Sequence, residues 1–344
     1  MLEVDGAHGE GGGQLLRMTV ALSAMTRTPV RIVRIRAGRQ NPGLAAQHMT
    51  AVQAVAALCD AEVQGLEVGS KGIEFRPGAI SPGRFSFDVG TAGAVTLVLQ
   101  ALLPVSALGA GPVQVRLVGG TDVRWSPPVD YFTRVFLPLL RRIGVHVDLE
   151  VPRRGYYPRG GGIVEAVIEP RPTWSAVSPG HREGVPRVRG IAHVSNLAED
   201  IPKRMKHAAL RRLHGIPDAK IEERVYRGEE AVGQGGGLTL WAEGDGIPLG
   251  SDSLAERGKP SERIGEEAAA SLKAELEAGA TLDVHAADQV LVYLSRADGP
   301  SQFFVREVSG HMETMMWLLP QFLPCRFDVV RDGPRSRVTV EPRA

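Results

Sequence analysis

Val308-Ser309-Gly310-His311 places a histidine on a short glycine-containing turn where a helix begins. Unpaired backbone N–H groups at a helix N-terminus favour anions, so an imidazole there is a seat for a nucleophile that attacks a phosphate. Past it, Met312, Met315, Met316 and Leu319 follow the i, i+3, i+4, i+7 spacing of an ordinary core stripe, and the His311 side chain could face core or cleft. A second turn, Asp5-Gly6-Ala7-His8-Gly9-Glu10-Gly11-Gly12-Gly13-Gln14, lets backbone approach a ligand closely but lacks the Lys-Ser or Lys-Thr of a Walker loop. Glu10 inside it would repel a phosphate unless it holds a divalent metal that bridges the two. Arg17, near Gln14 on the following helix, falls on the same face.

A third cluster, Ile35-Arg36-Ala37-Gly38-Arg39-Gln40-Asn41-Pro42-Gly43, follows an apolar strand and leads to a helix carrying Gln47 and His48. Arg36 and Arg39 offer two guanidinium forks suited to phosphate oxygens, against the plainer reading of surface solubility. His48, on a mostly apolar helix, reads as a satisfied core histidine. Val89-Gly90-Thr91-Ala92-Gly93, with Gln100 further along, and His285-Ala286-Ala287-Asp288-Gln289 open two more helices. Such helix starts would converge on one cleft if the units bearing them packed around an axis.

The elements that must position these groups recur. A strand-helix-strand-helix-strand-strand order is read three times, with strands at 2–5, 30–35, 61–68 and 73–76 and helices at 14–26 and 44–59 in the first copy. The second copy, from residue 85 to about 168, has helices at 92–103 and 129–143 and strands at 113–118, 145–151 and 162–168. The third, 281–341, has helices at 286–296 and 311–322. Each is long enough for a four-stranded sheet with two helices on one face, and the helices must pack together to bury a core. The expected class is therefore α/β with α+β-like repeats: three β-α-β-α-β-β units and one inserted smaller α/β domain.

Residues 171–190 are rich in Pro, Gly and Ser and read as a crossing linker. Beyond them come strands at 191–195, 220–226 and 238–243 and helices at 201–213 and 262–277. The division is 1–180 for the first two repeats, 181–279 for the insertion and 280–344 for the third repeat. The first inserted helix carries Lys203, Arg204, Lys206, Arg211 and Arg212, for which a solvated face is favoured over nucleic-acid contact.

Composition sets the bounds. The 344 residues carry 40 basic and 39 acidic side chains, a net charge of +1, so an anionic partner must be met by a local patch, and a long duplex is disfavoured. Cys59 and Cys325 lack CxxC spacing and read as two buried thiols in a reducing compartment. Neither a signal segment nor a membrane-length apolar run is found, so the expected setting is cytoplasmic, without a membrane partner.

Gly9-Glu10-Gly11-Gly12-Gly13-Gln14, Ile35-Arg36-Ala37-Gly38-Arg39, Gly119-Gly120-Thr121-Asp122, Arg154-Gly155-Tyr156-Tyr157-Pro158-Arg159-Gly160-Gly161-Gly162 and the pair Ala287-Asp288-Gln289 with His311 together resemble the RNA 3′-terminal phosphate cyclase family. The likeness spans nearly the whole chain, and the Arg-Gly-x-x-Pro-x-Gly-Gly-Gly segment is highly specific. It implies an ATP-dependent, ligase-like enzyme that turns an RNA 3′-phosphate into a 2′,3′-cyclic phosphodiester. His311 would attack the α-phosphorus of ATP, AMP would pass to the terminal RNA phosphate, and the 2′-hydroxyl would then displace AMP. The family's pattern maps a divalent metal, Mg²⁺ or Mn²⁺, to Glu10 and phosphate contacts to Arg17, Arg36, Arg39 and Gln47. Gln100, His285, Ala286, Ala287, Asp288 and Gln289 fall at the nucleotide pocket.

One position departs from that pattern. A tyrosine occurs in enzymes of the family where this chain has His285, so stacking on the base would be weaker. The alternatives are a non-catalytic RNA-processing or ribosome-assembly factor of the same fold, whose members lack the histidine, and a three-repeat enolpyruvyl transferase, which lacks the insertion. The expected partners are RNA with a 3′-phosphate and ATP, the protein being a monomer or homodimer.

Overall fold

In the computed structural model, which describes residues 1–180, 186–243 and 247–343, four sheets share two hydrophobic cores. The first sheet is built by β1 (Leu2–Asp5), β2 (Val30–Val33), β3 (Glu62–Gln64) and β4 (Ile73–Arg76), with helices α1 (Gly13–Thr26) and α2 (Ala46–Leu58) between the strands. Its order is β1-β2-β4-β3, the first pair parallel and the others antiparallel. Val4, Val30, Ile32 and Phe75 are buried at 0% exposure, so the sheet presents an apolar face to its helices.

The second sheet contains β5 (Gly83–Asp88), β6 (Val113–Gly119), β7 (Val147–Gly155) and β8 (Gly162–Ile168), with α3 (Val95–Ser106), α4 (Val129–Tyr131) and α5 (Leu137–Ile143). The run β5-β6-β8-β7 repeats the order and sense of the first sheet. The single helix expected over 129–143 is interrupted by a π turn, Phe132–Phe136. Pro138 accounts for it: a proline lacks an N–H and its ring collides with the carbonyl four residues back, so the chain widens by one residue there.

Residues 187–277 form their own sheet and core. They comprise β9 (Arg187–Ser195), α6 (Asp200–Arg212), β10 (Asp218–Tyr226), β11 (Ala231–Val232), β12 (Gly235–Glu243), β13 (Leu249–Leu254) and α7 (Ser261–Glu277), with sheet order β10-β9-β12-β13. The short β11 instead joins the second sheet beside β7. Strand β13 has no counterpart among the expected elements because its buried positions include Ser251 and Ser253, small polar residues whose hydroxyls bond Ala268 O and Glu267 Oε2. An alternation of serines carries no apolar signal.

The third sheet has three strands rather than the four expected. Around α8 (Val284–Leu294) and α9 (Gly310–Leu318) lie β14 (Ser301–Val305), β15 (Cys325–Asp332) and β16 (Arg335–Pro342), in the order β14-β16-β15. Too few residues separate α7 from α8 for a first strand, and Thr281 and Leu282 instead both donate N–H to Phe304 O.

Helices from different sheets pack against one another, α1 and α2 on α3, α3 and α5 on α8, and α1 on α9, while α1 also packs on α2 and α8 on α9 within their own units. Trp174, expected in a free linker, is fully buried in the main core with its ring 5.1 Å from Tyr293. Residues 171–177 are pinned, Arg171 N to Ala107 O and Ser175 N to Ile143 O, and 187–190 belong to β9. Residues 181–185 of that expected linker, including the expected start of the insertion, lie outside the described residues. Both cysteines are free thiols, Cys59 buried as expected but Cys325 only half-buried. Among the described residues no helix is long and apolar enough to cross a membrane.

Candidate active site

Ser309 caps α9 by accepting from Met312 N at 3.1 Å, which holds His311 in the first turn of that helix. Met312 and Met315 turn into the core, and His311 is left on the exposed side. Its Nδ1 lies 3.0 Å from Glu10 Oε2. Glu10 sits on the loop from β1 to α1, whose path is fixed by left-handed Gly9 and Gly11, by the His8 ring stacked on Trp317 at 3.7 Å, and by Thr314 against Gly9. The same Glu10 oxygen lies 3.6 Å from Arg39 Nη2. Gly310 has a steric reason to lack a side chain, since a Cβ there would stand 2.7 Å from Glu10 Oε1.

The helix starts do converge. Gln14 in α1 donates to Asp288 Oδ2 of α8 at 2.9 Å, across 274 residues of sequence. Asp283 caps α8 by accepting from His285 N and Ala286 N, and its carboxylate also takes Tyr131 OH from α4 at 2.6 Å and Gly250 N from β13 at 2.9 Å. His285 is exposed and meets the Tyr131 ring edge-on at 6.3 Å. Thr96 in α3 donates to Pro127 O just before α4. Gly93, before α3, leaves room for Gln47 at the start of α2, and Gly13 leaves room for the ring of His48 beside Arg17.

Arg17 is buried, with its Nε unpaired, and burial lowers its pKa to about 10 despite nearby Asp288. His48 accepts from Ala45 N at 3.3 Å through Nδ1; burial, with Arg17 and Arg36 beside it, pushes its pKa down to about 3, so it is a neutral wedge. Arg36, on a left-handed backbone at φ 54°, is tied to Gly43 O at 2.9 Å, and burial and Arg39 lower its pKa. His311, partly covered although on the exposed side, is likewise held below the usual imidazole range, first by this partial desolvation and then by Arg17 and Arg39, with Glu10 opposing. Burial raises Asp288 to about 7. Gln14 Oε1, Asp288 Oδ1 and Gln289 Oε1 are also buried without a hydrogen-bond partner.

Glu10, Arg17, Arg36, Arg39, Gln47, His285, Asp288 and His311 thus lie on connected elements of one face. Ala286 and Ala287 are buried helix backbone beneath it, Gln289 is half-buried and donates to His285 O, and Gln100 is half-buried further along α3. Tyr131, Asp252 and Asp283 were missed. Asp283 had a signal, an Asp directly before a helical run. Asp252, raised to about 6 by burial and sensitive to His285, had none, because β13 itself was unreadable.

A second charged cluster lies between the second sheet and the insertion. Asp122, Asp130 and His193 are close enough to share a cation, with His193 Nε2 3.6 Å from Asp122 Oδ1. Arg154 already occupies that role, its Nη1 3.2 Å from Asp122 and its Nη2 2.6 Å from Asp130. A dication there would compete with a buried guanidinium, so the cluster is a structural rivet.

A histidine, a carboxylate and several guanidiniums on convergent helix starts and the loops before them define the class: an α/β protein whose polar face suits a phosphate-bearing ligand. The family model described as RNA 3′-terminal phosphate cyclase matches residues 8–329. The chain is 49% identical over 342 residues to the RNA 3′-terminal phosphate cyclase of Nitrosospira multiformis, covering 99% of this chain and 97% of that protein. It is 46% identical to the protein of that name from Methanopyrus kandleri, covering 99% of each, and 41% to that of Pyrococcus furiosus, covering 100% of each. The chain belongs to the RNA 3′-terminal phosphate cyclase family and is, by that membership, an enzyme of the ligase type.

Proposed function

We propose that this chain converts an RNA 3′-terminal phosphate to a 2′,3′-cyclic phosphodiester at the expense of ATP, through AMP carried on His311. The observation that carries this reading is the 3.0 Å approach of His311 Nδ1 to Glu10 Oε2. With Nδ1–H turned to the carboxylate, the lone pair resides on Nε2, the atom free to attack. The depressed pKa of His311 keeps that lone pair unprotonated at neutral pH.

In the first step Nε2 bonds to the α-phosphorus, the α–β bridging bond breaks and diphosphate leaves. A terminal RNA phosphate oxygen then takes the AMP from the imidazole. Finally the vicinal 2′-oxygen bonds to the 3′-phosphorus, losing its proton, and AMP departs. Arg17, Arg36, Arg39 and Gln47 would neutralise and orient the phosphates, and Gln100 with 285–289 would border the nucleotide.

Glu10 suits a divalent ion, because glycine at 310 leaves clear the space beside its Oε1 that a Cβ would fill. Mg²⁺ or Mn²⁺ bound there would supply charge neutralisation of the phosphates. The Arg39 and His311 contacts would keep the carboxylate oriented.

The domain reading is part of the same proposal. Residues 1–180 and 280–344 would form a core of three related units, with 181–279 inserted; support comes from the matching strand orders of the first two sheets, the partial match of the third and the separate core within 188–280. The test is to incubate the protein with ATP and Mg²⁺ or Mn²⁺, digest it and locate AMP by mass spectrometry. The adduct should lie on His311 and be absent from His311→Ala. An adduct on another residue, or one that persists in the variant, would overturn the assignment.

A further inference from the structure

Two aromatic rings stand almost wholly in water: Trp125 at 89% and Tyr157 at 76% exposure, the only strongly exposed Trp, Tyr or Phe among the described residues. We propose that they form a stacking platform for the single-stranded RNA that leads to the 3′ end. This rests on the cyclase reading above and names where that substrate lies.

Both rings sit on loops with rigid roots. Trp125 lies three residues beyond Asp122 and Tyr157 three beyond Arg154, and these two roots are joined by the buried ion pair and by a backbone bridge between Asp122 and Tyr156. Thr121 N also donates to Gly155 O at 2.9 Å. A loop so anchored could have tucked an apolar ring inward. Instead Trp125 adopts φ 61°, a left-handed conformation that a bulky residue takes only when its surroundings impose it.

The platform borders the site already described. A Cβ at Gly160 would stand 2.5 Å from Thr91 O, and one at Gly120 2.4 Å from Ala92 O, so both loop roots press on the turn whose Gly93 meets Gln47. Pro127, two residues past Trp125, holds the start of α3 through Thr96.

The surrounding charge selects the occupant. Arg124 lies 5.0 Å over the Trp125 ring, with Glu256 Oε1 3.3 Å from its Nη2, and Arg159, two residues past Tyr157, is exposed. Unstacked bases offer π faces to aromatic rings whatever their sequence, and the intervening phosphates suit guanidiniums. A protein partner would call for a contiguous apolar patch, whereas these rings are flanked by charge.

The experiment uses the full chain with fluorescently labelled single-stranded oligoribonucleotides bearing a 3′-phosphate, and compares Trp125→Ala, Tyr157→Ala and Trp125→Phe with the native protein. Direct binding by anisotropy should weaken roughly 5- to 100-fold in each alanine variant, with a matching rise in KM and little change in kcat. Trp125→Phe should restore most of the affinity. A mononucleotide substrate, which has no upstream bases, should show no difference. Self-adenylation from ATP, which uses no RNA, reports separately on the cyclase chemistry. If the native chain binds oligonucleotide through these rings but never adenylates, the cyclase reading fails and the platform stands. Unchanged oligonucleotide affinity in both alanine variants, or an equal loss with the mononucleotide, overturns the platform; unchanged affinity leaves the pair to a protein partner instead.

Discussion

Asp288→Asn should make the protein less sensitive to alkaline pH. The Asp288 carboxyl is buried, with Oδ2 taking Gln14 Nε2 and Oδ1 left unpaired, and burial raises its pKa from 3.8 to about 7. An acid raised on folding binds its proton more tightly in the native state, so the stability it contributes is complete below pH 3.8 and is lost as pH climbs to about 7. Across the whole window the loss is about 4 kcal/mol, and between pH 5 and pH 8 it is about 2.5 kcal/mol. Asparagine has the shape of the protonated acid and does not titrate.

The assay is urea denaturation of ligand-free protein at pH 5 and pH 8. The difference in stability between variant and native protein should move by about 2.5 kcal/mol in the variant's favour from the lower pH to the higher. A difference that stays constant to within about 0.5 kcal/mol would show that Asp288 is already ionised at pH 5 and would refute the reasoning.

Three further outcomes follow from the same geometry. Glu10→Gln can still hold the His311 ring but removes the charge that raises its pKa, so the acid limb of the adenylation profile should move to lower pH and the metal titration should flatten; an unmoved limb would take Glu10 out of the pair. Arg39→Lys should lower kcat/KM by about tenfold or more, because a fork becomes a point charge, and a near-native value would make Arg39 a surface arginine. An oligonucleotide ending in a 2′-deoxyribose 3′-phosphate should accumulate as the adenylated 3′ end, since only the last step needs the 2′-hydroxyl; a cyclic product from it would contradict the proposed order.

What could be read in the sequence was local. Ser309 before His311, the glycines around Glu10 and the arginines after β2 each act within a few residues, and the structure places all three on one face. The β1 and β8 boundaries, at 2–5 and 162–168, were legible because alternation and flanking glycines act over the same range. What was illegible depended on distant partners. The Gln14–Asp288 bond spans 274 residues, and the three-stranded third sheet reflects how little chain separates α7 from α8. Trp174 looked like linker because Pro, Gly and Ser surround it, yet the main core has room for its ring.

The electrostatics of the face constrain its ligand independently of any likeness. Arg17 is a buried cation with an unpaired Nε, and the nearest groups that could offset it do not. His48, at about 3, is neutral and supplies no counter-charge, while Asp288, at about 7, is half protonated at neutral pH. Arg36 and Arg39 add positive charge, and Glu10 is shared between Arg39 and His311. A buried cation without a full partner costs stability, and the cost falls when an anion with several acceptor oxygens arrives. A ligand with more than one negative charge and oxygens in several directions would offset Arg17, Arg36 and Arg39 together, which is what the proposed phosphates of ATP and of an RNA 3′ end would bring.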